Sequence, residues 1–119
     1  MRDFHKLKVW EKSHAFAKAV YAACRHFPSE ERFGLTSQLQ RAALSIPTNI
    51  AEGSGRDSEP QFARFLEIAL GSASESEYLL LFAHEMGWLS ESEYRALNAE
   101  VREIKRMLTG LLKSLGRRR

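Results

Sequence analysis

A chain of 119 residues with 44% hydrophobic and 28% charged side chains has the size and balance of one globular domain, spanning 1–119, and not those of a disordered chain. A single cysteine, Cys24, excludes an internal disulfide and a cysteine-built zinc site. The net charge of +3 conceals a segregation: residues 1–56 carry +4, 57–94 carry −7 and 95–119 carry +6. Such blocks suit either helices that neutralise one another or a surface with an oriented field.

The longest apolar run, Tyr78 to Ala83, falls far short of the roughly 18 residues that cross a bilayer. The opening Met-Arg-Asp-Phe-His-Lys has no apolar signal core behind it. A cytoplasmic location with no membrane partner is therefore expected.

The first predicted helix covers about 6–27, with Trp10, Ala17, Val20, Cys24 and Phe27 on one face, Val9, Phe16 and Ala23 beside it, and Pro28 as its stop. The second covers 35–53, with Leu35, Leu39, Ala42, Ile46 and Ile50 inward and Pro47 placed to kink it. The third covers 59–86. Ser58, Pro60 and Gln61 read as its start, with Ser58 and Gln61 able to form a capping box, and it stops near Gly87. It bears two apolar stripes: Phe65, Ile68, Ser72, Leu79, Phe82 and Met86, and next to it Phe62, Leu66, Ala69, Ala73, Leu80 and Ala83. Together they are wider than one partner helix covers. The fourth covers 91–115 and is opened by a Ser90/Glu93 capping box. Its seam of Tyr94, Leu97, Val101, Ile104, Leu108, Leu111 and Leu115 is spaced like a coiled coil. Short connections make successive helices antiparallel neighbours, so the expected fold is an all-α, antiparallel up-and-down four-helix bundle.

Polar residues interrupt this pattern. Gln38, Arg41, Ser45, Asn49 and Glu52 form a stripe beside the apolar face of the second helix, and Glu75 falls within an apolar seam of the third. A buried carboxylate needs a partner, so a buried or half-buried network linking the two helices is expected, with Arg41 the partner of Glu75. The competing reading is a stripe that faces solvent. Gly71, Ser72, Ala73 and Ser74 cluster in mid-helix, as close backbone packing requires.

No catalytic pattern emerges. His5, His14, His26 and His84 lack ligand spacing. Glu11 and His14 form one Glu-x-x-His, where a di-metal bundle needs two such units and two more glutamates. Cys24 lies on a core face, no serine occupies a nucleophile elbow, and Gly53-Ser54-Gly55-Arg56 lacks the lysine of a phosphate loop. The expectation is a protein that is not an enzyme, with no cofactor and no metal.

A basic stripe is legible instead. Arg95, Arg102, Arg106 and Lys113 share one face of the fourth helix and Arg117 continues it, with Lys105, Arg118 and Arg119 nearby. The first helix adds Lys6, Lys8 and Lys12, with Arg2 before it. Fixed cations in a row can follow a phosphate backbone and release its counterions. They can equally be a solvated face, or one paired with the acidic third helix.

Phe33-Gly34-Leu35 with Gln38-Leu39, then Ser45-Ile46-Pro47-Thr48-Asn49-Ile50-Ala51-Glu52-Gly53, then Phe65-Leu66-Glu67-Ile68-Ala69-Leu70-Gly71-Ser72 and Glu75, resemble the bacterial four-helix-bundle family named for members encoded in intervening sequences of large-subunit ribosomal RNA genes. The resemblance covers nearly the whole chain. It implies an up-and-down bundle, assembly as a ring-like homopentamer, and kinship with the accessory protein of diversity-generating retroelements, which is basic and engages nucleic acid and a reverse transcriptase. It makes Gln38, Arg41, Ser45, Asn49, Glu52, Glu67 and Glu75 a family signature. The acidic third helix and modest net charge depart from that accessory protein. Two readings stand: an oligomeric module that binds structured RNA or DNA, or a scaffold that binds another protein and has no affinity for nucleic acid. The wide apolar faces favour self-association under either.

Overall fold

The computed structural model describes residues 2–116. Four helices, α1 (Lys8–Cys24), α2 (Leu35–Ser54), α3 (Glu59–Glu85) and α4 (Glu91–Ser114), form a bundle with extents of 43 × 22 × 20 Å. Each helix packs on two neighbours, α1 and α3 both against α2 and α4, so α1 and α3 occupy opposite corners. The all-α up-and-down bundle expected from the periodicity is the observed fold.

The ends follow from local chemistry. α1 starts two residues later than its apolar pattern. The Asp3 carboxylate accepts from the His5 N–H and caps a separate 3-10 turn, Phe4–Lys6, after which Leu7 is extended. At α3 the Ser58 hydroxyl accepts from the Gln61 N–H, but the reciprocal half of the box is absent among the described contacts. At α4 both halves of the Ser90/Glu93 box form. Gly87 sits at φ +83 and lets the Trp88 N–H reach back to the Ala83 carbonyl, closing α3.

Inside, Phe16, Val20, Leu39, Ile46, Ile50, Phe62, Leu66, Leu80, Val101, Ile104, Leu108 and Leu112 are fully buried. Burial of each such aliphatic or aromatic side chain stabilises the fold by about 1.5–3 kcal/mol. The seam of α4 departs from its reading at one end. Leu112 is fully buried, whereas Leu111 and Leu115 are only half-buried. A straight helix drifts by roughly 20° per heptad from a strict 3.5-residue repeat, so four turns along, the inward position has passed to the next residue.

Within the small-residue cluster of α3, Ser72 and Ala73 pack inward, but the glycine crowded by a second helix is not Gly71. Around Gly71 nothing stands within 4 Å of where a Cβ would sit, so that glycine faces open space. At Gly53 a Cβ would come 2.6 Å from Phe65 Cβ and 3.3 Å from Phe62 Cδ1. α2 therefore continues through Gly53 to Ser54, and its last turn lies against the first turns of α3. Of the two stripes on α3, the one containing Phe62, Leu66, Ala69, Ala73, Leu80 and Ala83 is buried. The other leaves Ile68, Phe82 and Met86 exposed.

Candidate functional site: cations, rings and a polar seam

The up-and-down topology brings the start of α1, the end of α2, the start of α3 and the end of α4 to one pole. Arg2 ties that pole together. Its N–H donates to the Ser54 carbonyl at 2.8 Å, and its guanidinium lies 4.2 Å from the Phe62 ring and 3.4 Å from Glu59. Leu115 and Gly116 share a crevice with Glu59 and Pro60. Lys6, Lys8, Arg64 and Lys113 are exposed at this pole and make no ion pair among the described residues. At the opposite pole lie Glu30, Glu31, Glu85, Glu91 and Glu93, with Arg25, Arg32 and Arg95 among them. The charge blocks of the sequence are whole helices, so their difference lies mainly across the bundle, acidic α3 against α1 and α4, with a smaller difference between the poles.

The predicted basic residues divide into two groups. Lys12 pairs with Glu100 at 3.0 Å and Lys105 with Glu77 at 2.7 Å. Arg95 pairs with Glu91 at 2.8 Å, and Arg106 with Glu103. The first two are bridges between helices and the last two lie along α4. The remaining members, Lys6, Lys8, Arg102 and Lys113, are exposed and have no carboxylate partner among the described residues. Lys105, Arg106, Thr109, Gly110 and Lys113 line a shallow crevice on α4. Arg117, Arg118 and Arg119 lie outside the described residues.

The signature residues meet along the α2–α3 seam in a smaller cluster than expected. Asn49 Nδ2 donates to the Ser45 carbonyl at 2.8 Å and to Ser45 Oγ at 2.9 Å, and Ser45 Oγ is 2.9 Å from Ser72 Oγ. The Ser76 hydroxyl donates to the Ser72 carbonyl at 2.9 Å. Gln38, Arg41, Ser45, Ser72 and Glu75 line a groove of about 420 Å³. The expected Arg41–Glu75 pair does not form: both side chains are exposed at the lip of the groove without an ion pair among the described residues. The inward positions of this turn belong to Ala73 and Ser76, which rotates Glu75 outward and removes the cost of burying it. Glu52 is exposed and pairs with Arg56 at 3.5 Å, and Glu67 is half-buried.

A group of rings at the start of α1 escaped the sequence reading, which assigned Trp10 to the core. Trp10 is only half-buried, and the exposed His14 ring lies parallel to its indole, with centroids 4.9 Å apart and planes 8° apart. Phe4 and His5 meet the same indole at 59° and 62°. The signal was the four-residue spacing of Trp10 and His14, which places both on one helix face.

Cys24 is buried, and burial pushes its thiol up to about 11. It is a core side chain and no activated nucleophile. Among the described residues no cluster of three or more His, Cys, Asp or Glu side chains is placed to hold a metal ion, and no helix is long and apolar enough to cross a membrane.

The chain is similar to a solved structure from Bacteroides thetaiotaomicron, a protein of unknown function from the S23 ribosomal protein family. The two share 29% identity and superpose with a TM-score of 0.80 over 88% of this chain and 98% of that one. No curated protein matches. The model of the family described as 23S rRNA-intervening sequence protein matches residues 5–110, almost the whole bundle with its signature seam and both cation-bearing helices. The chain belongs to the 23S rRNA-intervening sequence protein family.

Proposed function

We propose that this protein is a non-enzymatic, self-assembling binding module that holds structured RNA or DNA on its basic pole and on the outer face of α4. The observation that carries this reading is that five exposed cations without a carboxylate partner among the described residues, Lys6, Lys8, Arg64, Arg102 and Lys113, gather at one pole and along the adjoining face, whereas Lys18, Arg25, Arg32 and Arg41 lie elsewhere. An unpaired cation gives up no protein partner when it meets a phosphate, whereas Lys12 and Lys105 would have to break interhelical bridges.

Self-assembly is supported by the outer face of α3. Ile68, Tyr78, Phe82 and Met86 are exposed there, and Leu44 is exposed on neighbouring α2. The unpaired Arg41 and Glu75 offer a second copy one charge of each sign. A ring of five copies is the assembly that the family resemblance implies. The same apolar face is the specific observation behind a second reading, a scaffold that docks another protein and has no affinity for nucleic acid.

Binding of purified, nucleic-acid-free protein to an RNA hairpin and a DNA duplex, measured from about 50 to 200 mM salt, separates the two. The module gives a linear fall of log affinity with log salt, by about 0.9 per phosphate contact on duplex DNA. Replacing Lys8, Arg102 and Lys113 together by Gln makes the slope shallower by up to that amount for each charge removed. No binding at the lowest salt leaves the scaffold.

A further inference from the structure

The outer face of α1 carries more than charge. Trp10, His14, Lys18, Tyr21 and Arg25 follow one another at steps of four, four, three and four residues, so three rings and two cations are interleaved along a single face. Each four-residue step advances about 6 Å along the helix axis. Lys18 and Arg25 are exposed and have no ion-pair partner among the described residues, although Arg25 shares a crevice with Glu93. Tyr21 is 41% exposed and makes no ring contact or hydrogen bond.

Carboxylates are few on this side, although Glu93 of α4 lies in the crevice beside Arg25 and His26. Glu11 is the only one in α1. Glu52 is the only one in neighbouring α2, and Arg56 holds it. Across the α1–α4 contact, Glu100 is held by Lys12. Before α1, Asp3 is held by His5, whose hydrogen bonds keep the Asp3 carboxyl below its ordinary value.

The Trp10 indole is packed at an angle by Phe4 and His5, and its only parallel neighbour is the His14 imidazole. That imidazole is exposed, makes no hydrogen bond and belongs to the helix surface. It covers the indole as a stacked base would, and a change of rotamer uncovers it.

We propose that this face is a track for single-stranded nucleic acid: an unpaired base stacks on Trp10 where His14 now lies, a second stacks on Tyr21, Lys18 takes an intervening phosphate and Arg25 takes a phosphate beyond Tyr21. This rests on the reading above that the protein binds nucleic acid, and adds that it takes unpaired as well as structured segments. The chemistry is that of single-strand binders, aromatic platforms alternating with cations, and is tolerant of sequence because every base has a π-face. The carboxylate-rich α3 lies at the opposite corner, which orients an incoming polyanion toward α1.

The test uses the full chain with Trp88→Phe, leaving Trp10 as the only indole. Probes are oligo-uridine and oligo-thymidine of about a dozen nucleotides, an abasic deoxyoligonucleotide of the same length, and a duplex. Oligo-uridine and oligo-thymidine are expected to quench Trp10 emission saturably, and the tighter of the two assigns RNA or DNA as the natural strand. The abasic strand is expected to bind more weakly, without quenching. Tyr21→Ala, at an exposed position, is expected to weaken single-strand binding about tenfold and to leave the duplex unaffected. Lys18→Gln is expected to reduce the single-strand salt slope by about 0.7. His14→Ala is expected to keep both binding and quenching, because it removes only the cover. Equal affinity for abasic and thymidine strands, absence of quenching, or an inert Tyr21→Ala overturns the track while duplex binding still upholds the proposed function. Failure of every probe to bind at low salt overturns both.

Discussion

Helices α1 and α3 occupy opposite corners of the bundle and do the same work inside it, yet they present opposite surfaces outside. Inward, α1 offers Val9, Phe16, Val20 and Cys24, and α3 offers Phe62, Leu66, Ala73 and Leu80, all buried. Outward, α1 shows Lys8, His14, Lys18 and Tyr21, whereas α3 shows Ile68, Glu75, Tyr78, Phe82 and Glu85. The inner stripe of each helix is dictated by the fold, and the outer stripe is free to carry a partner's chemistry. A cationic face beside aromatic rings suits a polyanion. An acidic face with exposed apolar side chains repels that polyanion and suits another protein surface, here assigned to a second copy.

Changes to the shared interior test whether the two faces depend on one frame, and they have the largest expected effects. Ile104→Ala removes a fully buried side chain from the α4 seam and is expected to cost about 2–5 kcal/mol, seen as a lowered midpoint in thermal or urea unfolding. Gly53→Ala places a methyl group against Phe65 and Phe62 and is expected to cost about 1–3 kcal/mol. Gly71→Ala, facing open space in mid-helix, is expected to be neutral or to stabilise by up to about 1 kcal/mol. If the two glycine variants behaved alike, the position of the α2–α3 contact would be misplaced.

That pair of glycines shows what could and could not be read from the chain. Periodicity located four helices and most of their buried positions, because each helix must supply its own apolar face. The Ser90/Glu93 box was legible because a cap is local. Gly53 against Phe65 was not, because its need for a missing Cβ comes from another helix twelve residues further on. The basic stripe was half legible for the same reason: Arg95, Arg102, Arg106 and Lys113 share a face by spacing alone. That Glu77 engages Lys105, and Glu100 engages Lys12, depends on how the helices dock. Arg41 and Glu75 show the converse, two charges suited to each other that helix rotation leaves exposed and apart.

The next changes touch only the outer stripes. Ile68→Glu with Phe82→Glu is expected to shift the protein toward monomer in sedimentation or light scattering. Stability of the monomer should change by no more than about 0.5 kcal/mol per site, because both side chains are exposed. Nucleic-acid contacts made by a single copy should survive this change; their loss would join the faces that the account separates.

The smallest effects concern single groups. Lys105→Ala breaks a half-exposed bridge and is expected to cost no more than about 1 kcal/mol. Cys24 is expected to resist thiol reagents in the native state. Its thiol is raised from 9.0 to about 11, so the stability it contributes is complete below pH 9.0 and is lost as pH rises toward 11. Comparison with Cys24→Ala in alkaline unfolding isolates this contribution.

The most direct test of the central claim, that unpaired cations at one pole and on α4 hold nucleic acid, is the salt dependence of RNA-hairpin binding by the native protein and by the Lys8, Arg102 and Lys113→Gln variant. The account expects a steep linear slope for the native protein and a shallower one for the variant, with folding and assembly unchanged. Binding that is absent at low salt, or a slope indifferent to those three charges, would contradict it.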